Sequence, residues 1–188
     1  ILVQNVGLFT VGDSFVAAKI AGDLTETNAR VISSVEETSK YKFIREKDIF
    51  DVEYWSLEQA KIKKAKKELQ GNVVVITGSS GAIGSATYKI FKSYGAEVIL
   101  LDYNLKKIKE MRSKVNDLCI HCDVRNKNSV HKAFELICEK YGGLDILISN
   151  AGTAIGGPIA EVDDKILRQS FEDNFFSHQN CASEAIKI

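Results

Sequence analysis

The sequence predicts an α/β fold, a doubly wound parallel sheet, and three observations carry that reading. Strand-like runs recur at 73 to 77, 97 to 102, 117 to 122 and 144 to 149, helical periodicity fills the intervals, and the first run breaks into a glycine-rich turn before a helix begins. Val73 to Ile76 are apolar and β-branched without alternation, as in a strand buried on both faces. Such βαβ succession implies parallel pairing through right-handed crossovers, with helices on both sides of the sheet. Four strands in the order 3-2-1-4 place the switch point between the first and the fourth, where a ligand would lie.

The elements follow in order. The first strand ends in Thr77-Gly78-Ser79-Ser80-Gly81-Ala82-Ile83-Gly84, and its glycines fall where side chains would obstruct the bend or an approaching pyrophosphate. The helix from 84 to 94, closed by Gly95, would offer the free N–H groups of its first turn to that anion. Val98 to Leu101 form the second strand, and Asp102 at its end stands close to the offset of about 20 residues expected of a ribose-binding acid. A helix near 104 to 114 leads to the third strand and Asp123-Val124; Val130, Phe134, Ile137 and Tyr141 then share one face of a helix before the fourth strand. Leu144, Ile146, Leu147 and Ile148 of that strand would stand at an open apolar edge.

The glycine turn and its context resemble the short-chain dehydrogenase/reductase family, whose turn reads Thr-Gly-x-x-x-Gly-x-Gly. Thr77, Gly78 and Gly84 match it; Ala82 replaces the middle glycine, and Gly81 stands one place early. The resemblance implies a Rossmann-type domain binding NAD through Thr77, Gly78, Ser80, Gly81, Ala82, Ile83, Gly84, Asp102 and Tyr103. Asp123 and Val124 resemble the family's pair that meets the adenine ring, with an ordinary helix-capping acid as the alternative. Asn150, Ala151 and Gly152 match its Asn-Asn-Ala-Gly, where Ser149 replaces the first asparagine, and Asn174 matches the helical asparagine that orders the proton-relay water. Asparagine is a poor helix former, which independently suggests a hydrogen-bonding task for Asn174. Asp102 predicts NAD over NADP, because its charge repels a 2′-phosphate and Tyr103-Asn104 supply no base; the alternative is an acid that only caps the next helix.

The family's base is a tyrosine, with a lysine four residues later. That spacing occurs at Tyr88 and Lys92 and at Tyr103 and Lys107, but both pairs precede the third and fourth strands. The expectation is therefore an inactive portion of an enzyme whose catalytic serine, tyrosine and lysine lie beyond Ile188. A non-catalytic dinucleotide-binding module and a short-chain epimerase or dehydratase are the alternatives.

Upstream, Gly7-Leu8-Phe9-Thr10-Val11-Gly12 and a helix from Asp13, as cap, through Phe15, Ile20 and Leu24 toward Val35 resemble the end of a class II aldolase domain. Residues 40 to 55 show no clear period, and Ser56-Leu57-Glu58-Gln59 reads as a capping box opening a helix to Leu69. The expected division is an aldolase remnant at 1–44, a linker and connector helix at 45–70, and the dehydrogenase part at 71–188. With Trp55 and its neighbours, or with Trp55 merely packing the linker, the whole resembles the bifunctional rhamnulose-1-phosphate aldolase/alcohol dehydrogenase family, whose dehydrogenase oxidises lactaldehyde.

Composition narrows the partners. Twenty-five basic and twenty-five acidic residues balance, and the acidic residues around Lys61 to Lys67 make that run a solvated helix. A small-molecule substrate is expected, with no nucleic acid or membrane as partner and a homo-oligomer as the intact form. The first residues lack the features of a signal peptide and four scattered cysteines suit a reducing compartment, so the cytoplasm is the expected location. Cys119-Ile120-His121-Cys122 tempts toward zinc, but no second ligand pair stands at suitable spacing and no metal is expected.

Overall fold

The computed structural model describes residues 1–57, 67–112, 117–154 and 156–188. It divides into two compact units, Ile1–Lys67 and Glu68–Ile188.

In the first unit, β1 (Leu2–Val3) and β2 (Gly7–Leu8) pair antiparallel around Asn5, at φ 61°, and Gly7, at φ 142°. The helix α1 (Phe15–Glu36) is capped by Ser14, not by Asp13: the Ser14 hydroxyl accepts the Ala17 N–H at 3.2 Å. Ser14 has the extended backbone of a cap, φ −159° and ψ 160°, which puts the chain's turn into the helix one residue later than expected. A second correction is α2 (Glu46–Glu53), inside the stretch that shows no period. Its local supports do not depend on an apolar stripe: Arg45 grips Asp48 through two hydrogen bonds of 2.9 Å, Glu46 and Asp48 complement the helix dipole, and Phe50 stacks on Tyr54 at 4.5 Å. The helix expected from Ser56 to Leu69 falls mostly outside the described residues.

The second unit is a four-stranded parallel sheet built from β3 (Val73–Thr77), β4 (Glu97–Asp102), β5 (Cys119–His121) and β6 (Ile146–Ile148). Its order β5-β4-β3-β6 is the expected 3-2-1-4, with Val75 opposite Ile99 on one side and Leu147 on the other. Successive residues of the central strands feed two cores. Val74, Ile76, Val98 and Leu100 pack under α3 (Ala82–Ser93) and α4 (Leu105–Met111), with Tyr88 and Ile108 buried among them. Val75, Ile99, Leu101 and Ile120 pack under α5 (Lys127–Tyr141), whose Val130, Ala133, Phe134 and Ile137 are buried with them. Each such buried aliphatic side chain stabilises the fold by about 1.5–3 kcal/mol relative to exposure.

After β6 the chain runs through α6 (Asp164–Phe171), a π-helical turn (Glu172–Phe176) and α7 (Ser177–Ala185), from which Cys181 joins the α5 core. Two strands are shorter than expected. Before β5, Asp117 turns its carboxylate to Tyr88 and Lys92; before β6, Asp145 accepts the Val73 N–H at 2.7 Å. Among the described residues β6 pairs with β3 alone and stands at the edge of the sheet.

A cleft at the carboxyl ends of the strands

The candidate site forms where β3 ends and the chain must turn sharply into α3. Gly78 has φ +60°, a left-handed conformation that L side chains rarely adopt, and a Cβ there would lie 2.7 Å from Ala151 Cα. A Cβ on Gly84 would meet Gly78 O at 2.4 Å and Ser79 Cα at 2.7 Å, so α3 can approach the loop only with glycine in that place. Gly81 is the N-cap of α3 and supplies no side-chain acceptor, which leaves first-turn N–H groups available to an anion. Ala82, in place of the family's glycine, and Ile83 are both exposed at this helix start.

Two sets of hydrogen bonds fasten the loop to its neighbours. On the β6 side the Thr77 hydroxyl accepts the N–H groups of Asn150 and Ala151 at 2.9 and 3.0 Å, while Asn150 Nδ2 donates to the carbonyls of Thr77 and Gly78. On the β4 side Ser79 donates its hydroxyl to Leu101 O, and the Asp102 carboxylate accepts the N–H of Ser80 and of Asn104, both at 2.8 Å. Asp102 therefore ties the glycine loop to the end of β4. Asn104, not Asp102, caps α4, accepting the Lys107 N–H at 3.0 Å.

These ends enclose an open cleft of about 500 Å³. Of the residues singled out from sequence, Gly78, Asp102, Tyr103, Asp123, Val124, Ala151 and Gly152 line it. Thr77 and Asn150 lie beneath as fasteners, and Ser80 to Gly84 form the loop and the helix start. Asn174 is not a lining residue. It sits in the π turn behind the wall, where its side chain accepts the Thr153 N–H at 2.9 Å and donates to the Thr153 carbonyl at 2.8 Å. A Cβ on Gly152 would come within 2.6 Å of Asn174 Oδ1. A π turn is rare and tends to mark functional positions, so Asn174 is unusual in backbone as well as in residue type.

Sequence reasoning missed Arg125, Thr153 and Asp173, which also line the cleft. Arg125 folds back on Asp123, donating Nε to Oδ1 and Nη2 to Oδ2, each at 2.9 Å. That pairing holds the Asp123 carboxyl below its ordinary range and raises the guanidinium further. Asp123 is not the cap of α5; Asn126 is. The acidic and basic side chains of the lining are thus three carboxylates, Asp102, Asp123 and Asp173, against one guanidinium. A weak cue was present, since Arg125 directly follows Asp123-Val124 and Asp173 directly precedes Asn174.

Ser149 Oγ lies 2.5 Å from His178 Nδ1, a bridge from the end of β6 to α7 made by the residue that departs from the family pattern. Cys122 is buried and its thiol is pushed up to about 11 by desolvation. No group of three or more His, Cys, Asp or Glu among the described residues could hold a metal ion.

A parallel sheet of this order, with a glycine loop at its switch point and an acid at the end of the neighbouring strand, defines a Rossmann-type α/β protein. The short chain dehydrogenase family profile matches residues 72–188, and the chain belongs to that family. Residues 1–62 match the second domain of class II aldolases. The chain is 31% identical over 174 residues to an uncharacterized oxidoreductase, YuxG, of Bacillus subtilis, covering 88% of this chain and 25% of that protein. It is 37% identical over 100 residues to (+)-borneol dehydrogenase 1 of Salvia officinalis, covering 52% of this chain and 38% of the relative. Among solved structures, a short chain dehydrogenase from Mycobacterium smegmatis aligns with a TM-score of 0.60 at 27% identity, over 66% of this chain and 56% of that one. The ligand-free aldohexose dehydrogenase of Thermoplasma acidophilum aligns with a TM-score of 0.57 at 28% identity, over 65% and 46%. The chain thus spans about a quarter and two-fifths of the length of these two relatives.

Proposed function

We propose that the cleft binds NAD and that the complete protein is an NAD-dependent alcohol dehydrogenase of a small hydroxy-aldehyde such as lactaldehyde. The observation that carries the cofactor reading is the cradle at Gly78 and Gly84, closed to any side chain and backed by the uncapped start of α3. The residues present suit a dinucleotide: the glycine loop for the pyrophosphate, Asp102 for the ribose hydroxyls, and the pocket of Asp123 and Val124 for the adenine. When bound, the nicotinamide ring supplies the hydride acceptor. The chain's own residues orient and hold: Asp102 is fixed by two backbone N–H groups, with lone pairs left over for hydroxyl donors, and Asn150 to Gly152 set the wall beside the cofactor. Three carboxylates against one guanidinium disfavour a 2′-phosphate, which supports NAD over NADP.

Neither Tyr-x-x-x-Lys pair acts as the catalytic base in this reading. Tyr88 and Lys92 are engaged with Asp117 at the opposite end of the parallel strands, while Tyr103 lies at the adenine side, 5.7 Å from the His121 ring. In the proposed reading the described residues hold the cofactor, and the base of the reaction belongs to the complete protein. The aldolase-type segment at 1–62 directly before the dehydrogenase part supports a fusion in which an aldolase releases the aldehyde that the dehydrogenase oxidises, as in rhamnose breakdown. We place the 1–44, 45–70 and 71–188 division on that plan. The working form we propose is a cytoplasmic homo-oligomer acting on a small molecule, with no nucleic-acid or membrane partner. Four free cysteines favour the reducing compartment, and the place of β6 at the edge of the sheet among the described residues favours association.

Calorimetric titration of the 188-residue protein with NAD tests the cofactor reading, and lactaldehyde-dependent NAD reduction by the complete protein tests the substrate. Heat of binding without turnover in the short protein, and lactaldehyde turnover in the complete one, are expected. A short protein that takes up no NAD removes the cofactor reading.

A further inference from the structure

We propose that Arg125 and Asp173 form a positioning strap across the adenine end of the cleft, through which occupancy of that end sets the placement of Asn174. The inference rests on the cofactor reading of the cleft given above. The cleft has two facing walls, one following β5 and carrying Asp123 to Arg125, the other following β6 and carrying Ala151 to Thr153. On the first wall Arg125 is held by Asp123 through its own N–H, Nε and Nη2. Its remaining nitrogen, Nη1, lies 3.7 Å from Asp173 Oδ1. This distance is within ion-pair range and beyond a direct hydrogen bond, so the contact has room to shorten or open.

On the far side Asp173 and Asn174 divide one residue between them. Asp173 Oδ2 accepts the Thr153 hydroxyl at 2.7 Å, and Asn174 pairs with both backbone polar groups of Thr153. A guanidinium suits the near end because its rigid fork can serve two carboxylates at once, which the point charge of lysine cannot do with the same geometry. A donor group arriving at Asp123 competes for the lone pairs that hold Arg125. The guanidinium then redistributes toward Asp173, and the shift reaches Thr153 and Asn174 through the hydrogen bonds already made. Arg125 and Asp173 are positioning residues in this scheme: neither touches the reacting end.

Adenosine 5′-monophosphate is the probe, because it carries the adenosine half of the dinucleotide without the nicotinamide half. The readout is the side-chain amide resonance of Asn174 in the 15N-labelled 188-residue protein, a group that does not line the cleft. The nucleotide should shift that resonance in the unaltered protein. In Asp173→Asn and in Arg125→Gln, at nucleotide concentrations that keep the cleft occupied, the Asn174 amide should stay unmoved. Arg125→Lys, which keeps the charge, should restore part of the shift. Binding with a stationary Asn174 amide in the unaltered protein, or an equal shift in both variants, overturns the strap and leaves the cofactor reading intact. If the nucleotide and NAD both fail to bind the unaltered protein, the cofactor reading falls and the strap with it. Should Asp173→Asn fail to fold, Arg125→Gln tests the same link from the more exposed side.

Discussion

Tyr88 donates its phenolic hydrogen to the Asp117 carboxylate at 2.5 Å, inside the core and at the amino ends of the strands, away from the cleft. Lys92, one helical turn further along α3, completes the cluster at 3.0 Å from the other carboxylate oxygen. A spacing that fits a catalytic pair is thus spent on fastening α3 to the entry of β5.

Tyr88→Phe should lower unfolding stability by about 1.5–3 kcal/mol, the worth of one buried hydrogen bond to a charged group, and leave NAD affinity unchanged. Asp117→Ala should cost more, about 3–5 kcal/mol, because the nearly buried Lys92 ammonium loses its carboxylate. Urea melts with parallel NAD titrations check both. A drop in cofactor affinity for Tyr88→Phe at full stability would put this tyrosine in the site.

Gly84→Ala should be among the most damaging single-atom additions in the protein. Its methyl group meets the Gly78 carbonyl and the Ser79 backbone, neither of which can swing aside, and overpacking of this kind costs about 1–3 kcal/mol. Ala82→Gly is the informative contrast: Ala82 is exposed at the helix start, so glycine there should cost only about 0.5–1 kcal/mol. Thermal midpoints of the two variants, expected in the order Gly84→Ala well below Ala82→Gly, check the pair.

The contact between α5 and α7 should depend on pH. His131 Nδ1 lies 2.9 Å from Glu184 Oε2, and Glu184 also pairs with Lys187. The His131 imidazole is raised above its ordinary 6.5 by Glu184 and then Glu135, so its contribution is complete below 6.5 and fades as pH rises through the folded value. Glu184 is lowered below its ordinary 4.5 by Lys187 and then His131, so its contribution is complete above 4.5 and fades as pH falls through the folded value. The contact is therefore strongest between about 4.5 and 6.5. In His131→Gln the upper decline of thermal midpoint with pH should flatten; an unchanged profile would show that the exposed pair contributes nothing.

Asn174→Ala removes the acceptor of the Thr153 N–H and the donor to its carbonyl. Two hydrogen bonds of this kind are worth about 2 kcal/mol together. Hydrogen exchange at the Thr153 amide should accelerate while the core strands stay protected, since the change is confined to the wall of the cleft.

What could be read from sequence divides along the range of the interactions. β3, β4 and α3 are dictated locally, by β-branched runs buried on both faces and by glycines that only a tight turn requires. The sheet order follows from connection rules once the strands are placed. The glycine loop, Asp102 and Asn150 to Gly152 were visible because each sits at a strand end in chain order. Arg125 and Asp173 were not: they meet across the cleft from segments 48 positions apart, and neither belongs to a periodic pattern. α2 was hidden for a different reason. Its stability comes from the Arg45–Asp48 pair and helix-end charges, which leave no apolar stripe to count. The cap of α1 turned on whether Asp13 or Ser14, both good capping residues, takes the extended backbone.

The proposed function assigns the choice of dinucleotide to Asp102, and titration with NAD and NADP, before and after Asp102→Ala, is the most direct measurement of that role. With the carboxylate held between Ser80 and Asn104 and two further carboxylates lining the cleft, NAD should bind at least about a hundredfold more tightly than NADP. The preference should shrink sharply in the variant. Equal affinities in the unaltered protein, or the same ratio after Asp102→Ala, would contradict a ribose-binding Asp102 and with it the assignment of the cleft to NAD.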